Sequence, residues 1–255
     1  MSGGAFLWGW YPTGAVHVEV QVDGVGVIQV YDTKVAGALA LNGFQKIAES
    51  WQPQAIDPAI WTPTHPATNP LAVAVNPLGI NTCLFDVEDA EVGRLIGLAN
   101  SNRWRIFPTI VGVNHLFRKI VMEWEVYFNN VANIAPATAF MGLVTTAADT
   151  RVSNNIVGFG LLANTLVSIT DRAGVEEANT GFGDVLEDTM NLLKMEISHD
   201  SVLFYVNGTL VASHVTPANL PDQMMYPCWY MASAALGAST FEYYLGAIRI
   251  EYIPV

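Results

Sequence analysis

Through the C-terminal half of the chain apolar residues recur at every second position, the period of a strand with one face buried. Ile120, Met122, Trp124, Val126 and Phe128 share one face of a segment whose other face carries Glu123, Glu125 and Tyr127. The same pattern predicts strands at 139–146, 156–162, 166–170, 192–198, 202–206, 209–214, 228–234 and 243–253, with a loop over 171–188. Turn residues separate them: Asn154-Asn155, His199-Asp200, and Asn207-Gly208, which fits a type I′ turn. Short strands at intervals of about 8–12 residues argue for a sandwich or barrel. Residues 119–253 are therefore expected to fold alone as a two-layer β core.

The first 40 residues read as a separate hairpin arm. Val16, Val18 and Val20 alternate with His17, Glu19 and Gln21, Asp23-Gly24 supplies a turn, and 25–30 returns as a second strand. A lone hairpin is marginal in water, so this one must dock on something. Phe6, Leu7, Trp8, Trp10 and Tyr11 lie beside it, and with Val18 and Val20 they are the candidate interface residues. Prolines 53, 58, 63, 66, 70 and 77 puncture residues 41–118, which are expected to wrap the sandwich as an irregular segment. Within it, 43–51 could form a short helix or strand. Residues 89–99 suggest a turn or two of helix capped by Asp89, weakened by Gly93 and Gly97.

Composition narrows the partners. Hydrophobic residues make up 51% of the 255 and charged residues 13%, about half the roughly 25% of an ordinary soluble domain. So little charge points to extensive subunit contacts, and a homo-oligomer is expected. Twenty-three carboxylates against 11 Lys and Arg give a net charge of −12. That sign argues against nucleic acid and against an anionic membrane surface. The N-terminus lacks a basic signal-peptide region, and no run of about 18 apolar residues could span a bilayer. Cys83 and Cys228 are expected to be buried thiols rather than a disulfide framework.

Two carboxyls that cleave a glycoside with retention stand roughly 5–5.5 Å apart, and i, i+2 neighbours on a strand are about 6.5–7 Å apart between α-carbons. Glu123 and Glu125 are thus not excluded by spacing, yet Tyr127 occupies the third outward position. Histidines 17, 65, 115, 199 and 214 form no close pair. Asp171 with Glu176 and Glu177, or Asp184 with Glu187 and Asp188, could ligate calcium but match no fixed-spacing loop. Trp51, Trp61, Trp104, Trp229 and Tyr230 could form a sugar platform, though buried or interface anchors are the commoner role. The sequence reading is of no catalytic residue, no metal and no cofactor, hence not an enzyme.

Two stretches resemble known families. Leu192-Leu193-Lys194-Met195-Glu196-Ile197, then Val202 to His214 around Asn207-Gly208, Leu220-Pro221, and Leu245-Gly246-Ala247-Ile248-Arg249-Ile250-Glu251-Tyr252 resemble the second half of concanavalin A-like lectin/glucanase jelly rolls. This resemblance implies an all-β, antiparallel jelly-roll β-sandwich with the hairpin as an N-terminal extension. It says little about function, because that fold hosts lectins, hydrolases and inert modules. The glucanases of that fold carry Glu, Asp and Glu at alternating positions of one strand, a pattern matched here only by Glu123 and Glu125. Leu7-Trp8-Gly9-Trp10-Tyr11, followed by Val16 to Ile28, resembles an N-terminal signature of phage structural proteins, where such a hairpin attaches or oligomerises. Together they imply a capsid decoration (cement) protein of a virion, assembled in the host cytoplasm, whose partners are the major capsid protein or other virion proteins. The alternative is a carbohydrate-binding module of a tail fibre or surface protein, with a glycan hydrolase or lyase third.

Overall fold

The computed structural model describes residues 6–10, 17–22, 28–32, 47–49, 56, 61–88, 91–97, 117–129, 137–145, 155–162, 165–184, 188–221, 225–233 and 241–254. In chain order the strands are β1 (Phe6–Trp10), β2 (His17–Val22), β3 (Ile28–Asp32), β4 (Ile47–Glu49), β5 (Thr62–Thr64), β6 (Ala72–Val75), β7 (Asn81–Val87), β8 (Val92–Ile96) and β9 (Phe117–Asn129). They continue with β10 (Ala137–Val144), β11 (Ile156–Leu162), β12 (Thr165–Arg172), β13 (Val175–Asp184), β14 (Met190–Ile197), β15 (Val202–Val206), β16 (Thr209–His214), β17 (Tyr226–Ser233) and β18 (Phe241–Pro254).

Two antiparallel sheets form a concanavalin A-like jelly-roll sandwich. One has seven strands in the order β13-β12-β11-β10-β17-β8-β5. The other has eight, β16-β15-β14-β9-β18-β7-β6, with β4 also on β18. The alternation read from sequence is what builds them. Ile120, Met122, Trp124, Val126 and Phe128 are all buried between the sheets, and β14 alternates buried with half-buried residues along its length. Burying each such large side chain stabilises by about 1.5–3 kcal/mol.

The two sheets differ on their outer faces. Six consecutive residues of β12, Leu166 to Asp171, are buried, because this sheet is covered on both sides. Its far face holds a second apolar cluster including Phe140, Ile156, Val167, Ile169 and Tyr230. The outer face of the eight-stranded sheet instead carries many polar side chains, half-buried along β14, although Tyr127 and Tyr244 on it are buried.

Four sequence expectations are corrected. The described part of residues 41–118 is not an irregular wrapping: β7 lies inside the eight-stranded sheet against β18, and β8 inside the seven-stranded sheet against β17. Residues 89–99 hold strand β8 rather than helix. Gly93 there packs its bare α-carbon where an added Cβ would come within 3.2 Å of the Phe85 ring. Residues 175–184, read as loop, form β13, an edge strand with one sheet neighbour and therefore little demand for apolar alternation. The N-terminal arm is a three-stranded sheet, β1-β2-β3, rather than a two-stranded hairpin. Phe6 pairs with Gln21 and Trp10 with His17, and the return strand begins at Ile28 opposite Val22. The Asp23-Gly24 turn lies outside the described residues. Cys83 and Cys228 are both buried, as expected.

Candidate functional site

The outward positions of β9, β14 and β18 gather polar side chains from distant parts of the chain. At one end, Lys119 and Lys194 each place an ammonium 2.7 Å from a different oxygen of Glu196. Burial pushes the Glu196 carboxyl up, but those two lysines outweigh it and hold it below its ordinary value. Lys194 also lies 4.5 Å above the Tyr205 ring. Arg249 pairs with Glu251. Glu123 stands in register between Lys194 and Arg249, and Glu125 accepts a 3.4 Å hydrogen bond from the N–H of Ala247.

The other end is a cluster of acids and tyrosines. Tyr244 donates to Glu242 at 2.8 Å, and the Asn129 amide donates to the same carboxylate oxygen at 2.7 Å. Tyr127 donates to Asp188 at 2.9 Å, and its ring meets that of Tyr244 edge to face at 5.6 Å. Asp86 on β7 lies opposite Glu242 on β18. Burial, then the nearby carboxylates of Glu242, Glu88 and Glu91, push the Asp86 carboxyl above its ordinary value. Its Oδ1 is buried with no partner among the described residues. Burial and the Glu242 carboxylate likewise push Tyr244 up.

Asp86 and Glu242 are thus carboxyls on adjacent strands in different settings, one raised and one accepting two hydrogen bonds. Directly opposed residues have β-carbons about 4.5–5.5 Å apart, within reach of the spacing that glycoside cleavage uses. Two carboxyls in unlike surroundings are the arrangement from which acid and base work can be divided. Sequence reading missed this pair because 156 positions separate its members. The outward phase of Glu242 and Tyr244 on the last strand was the available signal.

The other sequence candidates fall elsewhere. Trp61, Trp229 and Tyr230 are buried, so they make no sugar platform; Trp51 and Trp104 lie outside the described residues. For Phe6, Leu7, Trp8, Trp10, Val18 and Val20 the strands are described but the side chains are not, and Tyr11 lies outside the described residues. Asp171 accepts the N–H groups of Asn155 and Gly174, which ties it to its own hairpin. Among the described residues no group of three or more His, Cys, Asp and Glu could hold a metal. His214 is buried between the hydroxyls of Ser168 and Thr170, at 2.9 and 2.8 Å. His199 is exposed in its turn, while His115 lies outside the described residues. No helix among the described residues is long and apolar enough to cross a membrane.

No protein-family model and no curated protein matches the sequence. Solved structures do match the fold. A Bacillus licheniformis beta-glucanase aligns over 82% of this chain and 98% of its own, at 10% identity and a TM-score of 0.56. A beta-1,3-glucanase from Mycobacterium marinum aligns over 80% and 97%, at 12% identity and a TM-score of 0.53. The binding domain of botulinum neurotoxin DC, solved with rat synaptotagmin II, covers 89% of this chain and 46% of its own, at 11% identity and a TM-score of 0.51. At such identities the likeness shows the fold alone.

These matches correct the expectation of a non-enzyme. The fold read as a scaffold for binding or building is also that of several glycoside hydrolases. The exclusion of catalysis rested on carboxylates within one strand, and the sheet brings carboxyls together from neighbouring strands.

Proposed function

We propose that the chain is a carbohydrate-binding jelly-roll protein displayed on a phage particle, attached through its N-terminal sheet and contacting glycan through the outer face of its eight-stranded sheet. The observation that carries the reading is the cluster of Glu242, Asn129, Tyr244, Tyr127, Asp188 and Asp86. Sugar hydroxyls need charged acceptors and amide donors in fixed positions. Glu242 and Asn129 are such a pair, and the hydroxyls of buried Tyr127 and Tyr244 hold Asp188 and Glu242 in place. The fold, shared with glucan-degrading enzymes, supports the substrate class. The resemblance of the aromatic-Gly-Trp start to phage structural proteins supports the particle.

A glycan array followed by titration calorimetry tests this. The wild type should bind a glycan, with β-glucan oligosaccharides the first choice, and Glu242→Ala should weaken binding by tenfold or more, roughly one charge-assisted hydrogen bond. Silence across the array would sink the reading. A second reading, a cement protein clamping neighbouring capsid subunits, is favoured by the register of β1 on β2, which places the signature's aromatic segment within one sheet. Co-sedimentation with undecorated capsids, without glycan binding, would favour it. Glycan turnover that disappears in Glu242→Gln would make the protein a hydrolase.

A further inference from the structure

Among the described residues five strands of the two sandwich sheets have a single sheet neighbour, and four are guarded against pairing, β4 by its charged Glu49. β5 carries Pro63, which removes a hydrogen-bond donor. β13 carries Glu176, Glu177 and Asp184. β16 is bulged, its register shifting where it meets Phe204 and Tyr205. β6 has none of these: Ala72 to Val75 run in unbroken register with Leu84 to Asn81 of β7, without charge or proline. The neutrality extends over residues 66–85, which contain no Asp, Glu, Lys, Arg or His in a chain of net charge −12.

The turn after β6 exposes an apolar tip. Val75, Leu78 and Ile80 are 61%, 50% and 42% exposed. The tip is held rigid by buried Asn76, whose Oδ1 accepts the N–H groups of Leu78 and Ile80, both at 3.0 Å. The Asn76 N–H donates to the Ile80 carbonyl and the Gly79 N–H to the Asn76 carbonyl, both at 2.9 Å. Gly79 takes a φ of +79° to close the turn. A turn backbone tied in this way loses little freedom on docking.

The geometry points to β6 and the Val75–Ile80 tip as the surface through which two copies of this chain pair, β6 antiparallel to β6. Ala72 of one copy then faces Val75 of the other, and the eight-stranded sheet continues across the pair. A second copy fits because antiparallel pairing of one strand with itself is symmetric. Two such acidic chains repel each other, and here contact sets no carboxylate against another. Screening weakens the long-range repulsion without weakening an apolar contact, so pairing tightens as salt rises.

Light scattering and sedimentation over a concentration series test this on the full chain. The wild type should pass from one to two protomer masses, more readily at high salt. Val75→Lys with Leu78→Lys should weaken pairing by roughly a hundredfold or more, while the milder Leu78→Ser weakens it less. Leu210→Lys, at an equally exposed site on guarded β16, should pair as the wild type does. Unchanged circular dichroism checks that each variant is folded. A wild type that stays monomeric, a double-lysine variant that pairs normally, or a Leu210→Lys variant that dissociates equally would each overturn the proposal.

Discussion

Trp124 of β9 meets Trp229 of β17 edge to face across the sandwich, ring centroids 6.0 Å apart and planes at 84°. Trp229 meets Trp61 the same way at 5.5 Å, and Trp124 meets Phe159 at 5.8 Å. The Trp229 indole thus joins both sheets to the residue that leads into β5. Trp124→Ala should cost about 3–5 kcal/mol, the usual range for a large aromatic removed from a core. Urea unfolding followed by circular dichroism measures it, and a loss below about 1 kcal/mol would contradict the packing.

Trp124 was legible because its neighbours alternate over a long strand, and a one-residue slip would turn every one of them to water. β13 was not. Its Gly, Asn and Glu residues suit an edge, where no second neighbouring strand demands apolar partners. β7 was hidden behind the prolines that punctuate the short strands before it, and β8 behind Asp89, which mimics a helix cap. The acid–tyrosine cluster was hidden for another reason: register, which no local pattern reveals, sets Glu242 beside Asp86 and Asn129.

The interior positions of β7 and β8 change what a fragment can do. Residues 119–253 alone would lack Trp61, Phe85 and Leu95, all buried in the main core. They would also leave β17 and β18 without their β8 and β7 neighbours. Such a fragment should fail to show the cooperative thermal unfolding of the full chain. A sharp transition at the full-length midpoint would mean that β7 and β8 are dispensable.

Gly142 faces Gly158 across β10 and β11. A Cβ at Gly142 would fall 2.2 Å from the carbonyl oxygen of Val157, a backbone atom that cannot swing away. Gly142→Ala must therefore push the two strands apart and should cost at least about 1–3 kcal/mol. Gly208→Ala offers the contrast, since space there is open and only the φ of +81° resists a side chain. Chemical denaturation of both variants should rank Gly142→Ala as the more damaging.

His214 spans the sheets, from β16 of one to Ser168 and Thr170 on β12 of the other. Burial pushes its pKa below the ordinary value, and the Glu177 carboxylate pulls weakly the other way. The unfolded chain therefore takes up this proton at a higher pH than the folded one. Stability from the neutral ring is present above the unfolded pKa of about 6.5 and is lost as pH falls from there through the folded pKa. His214→Gln lacks this component, so its melting temperature should fall less than that of the wild type between about pH 7 and 5. Asp86 acts in the opposite sense, favouring the fold at acid pH because its folded pKa is raised; it is common to both proteins and cancels. Parallel curves for the two proteins would show that the buried ring does not govern acid sensitivity.

The N-terminal sheet supports the last prediction. β1, β2 and β3 satisfy one another's backbone, with Val18 opposite Asp32 and Leu7 opposite Val20. Three strands are nearer to independent stability than two. Yet Phe6, Leu7, Trp8, Trp10 and Tyr11 put five large apolar residues within six positions of sequence, more than so small a sheet needs for itself. Aromatic anchors at an interface commonly cost about 2 kcal/mol or more each when truncated. Removing residues 1–31 should leave β4 to β18 with the circular dichroism of a β protein and abolish co-sedimentation with undecorated capsids. Trp8→Ala with Trp10→Ala should weaken co-sedimentation in the full-length chain, while glycan binding at the outer sheet face is kept. Full particle binding by the truncated chain would place attachment on the sandwich instead.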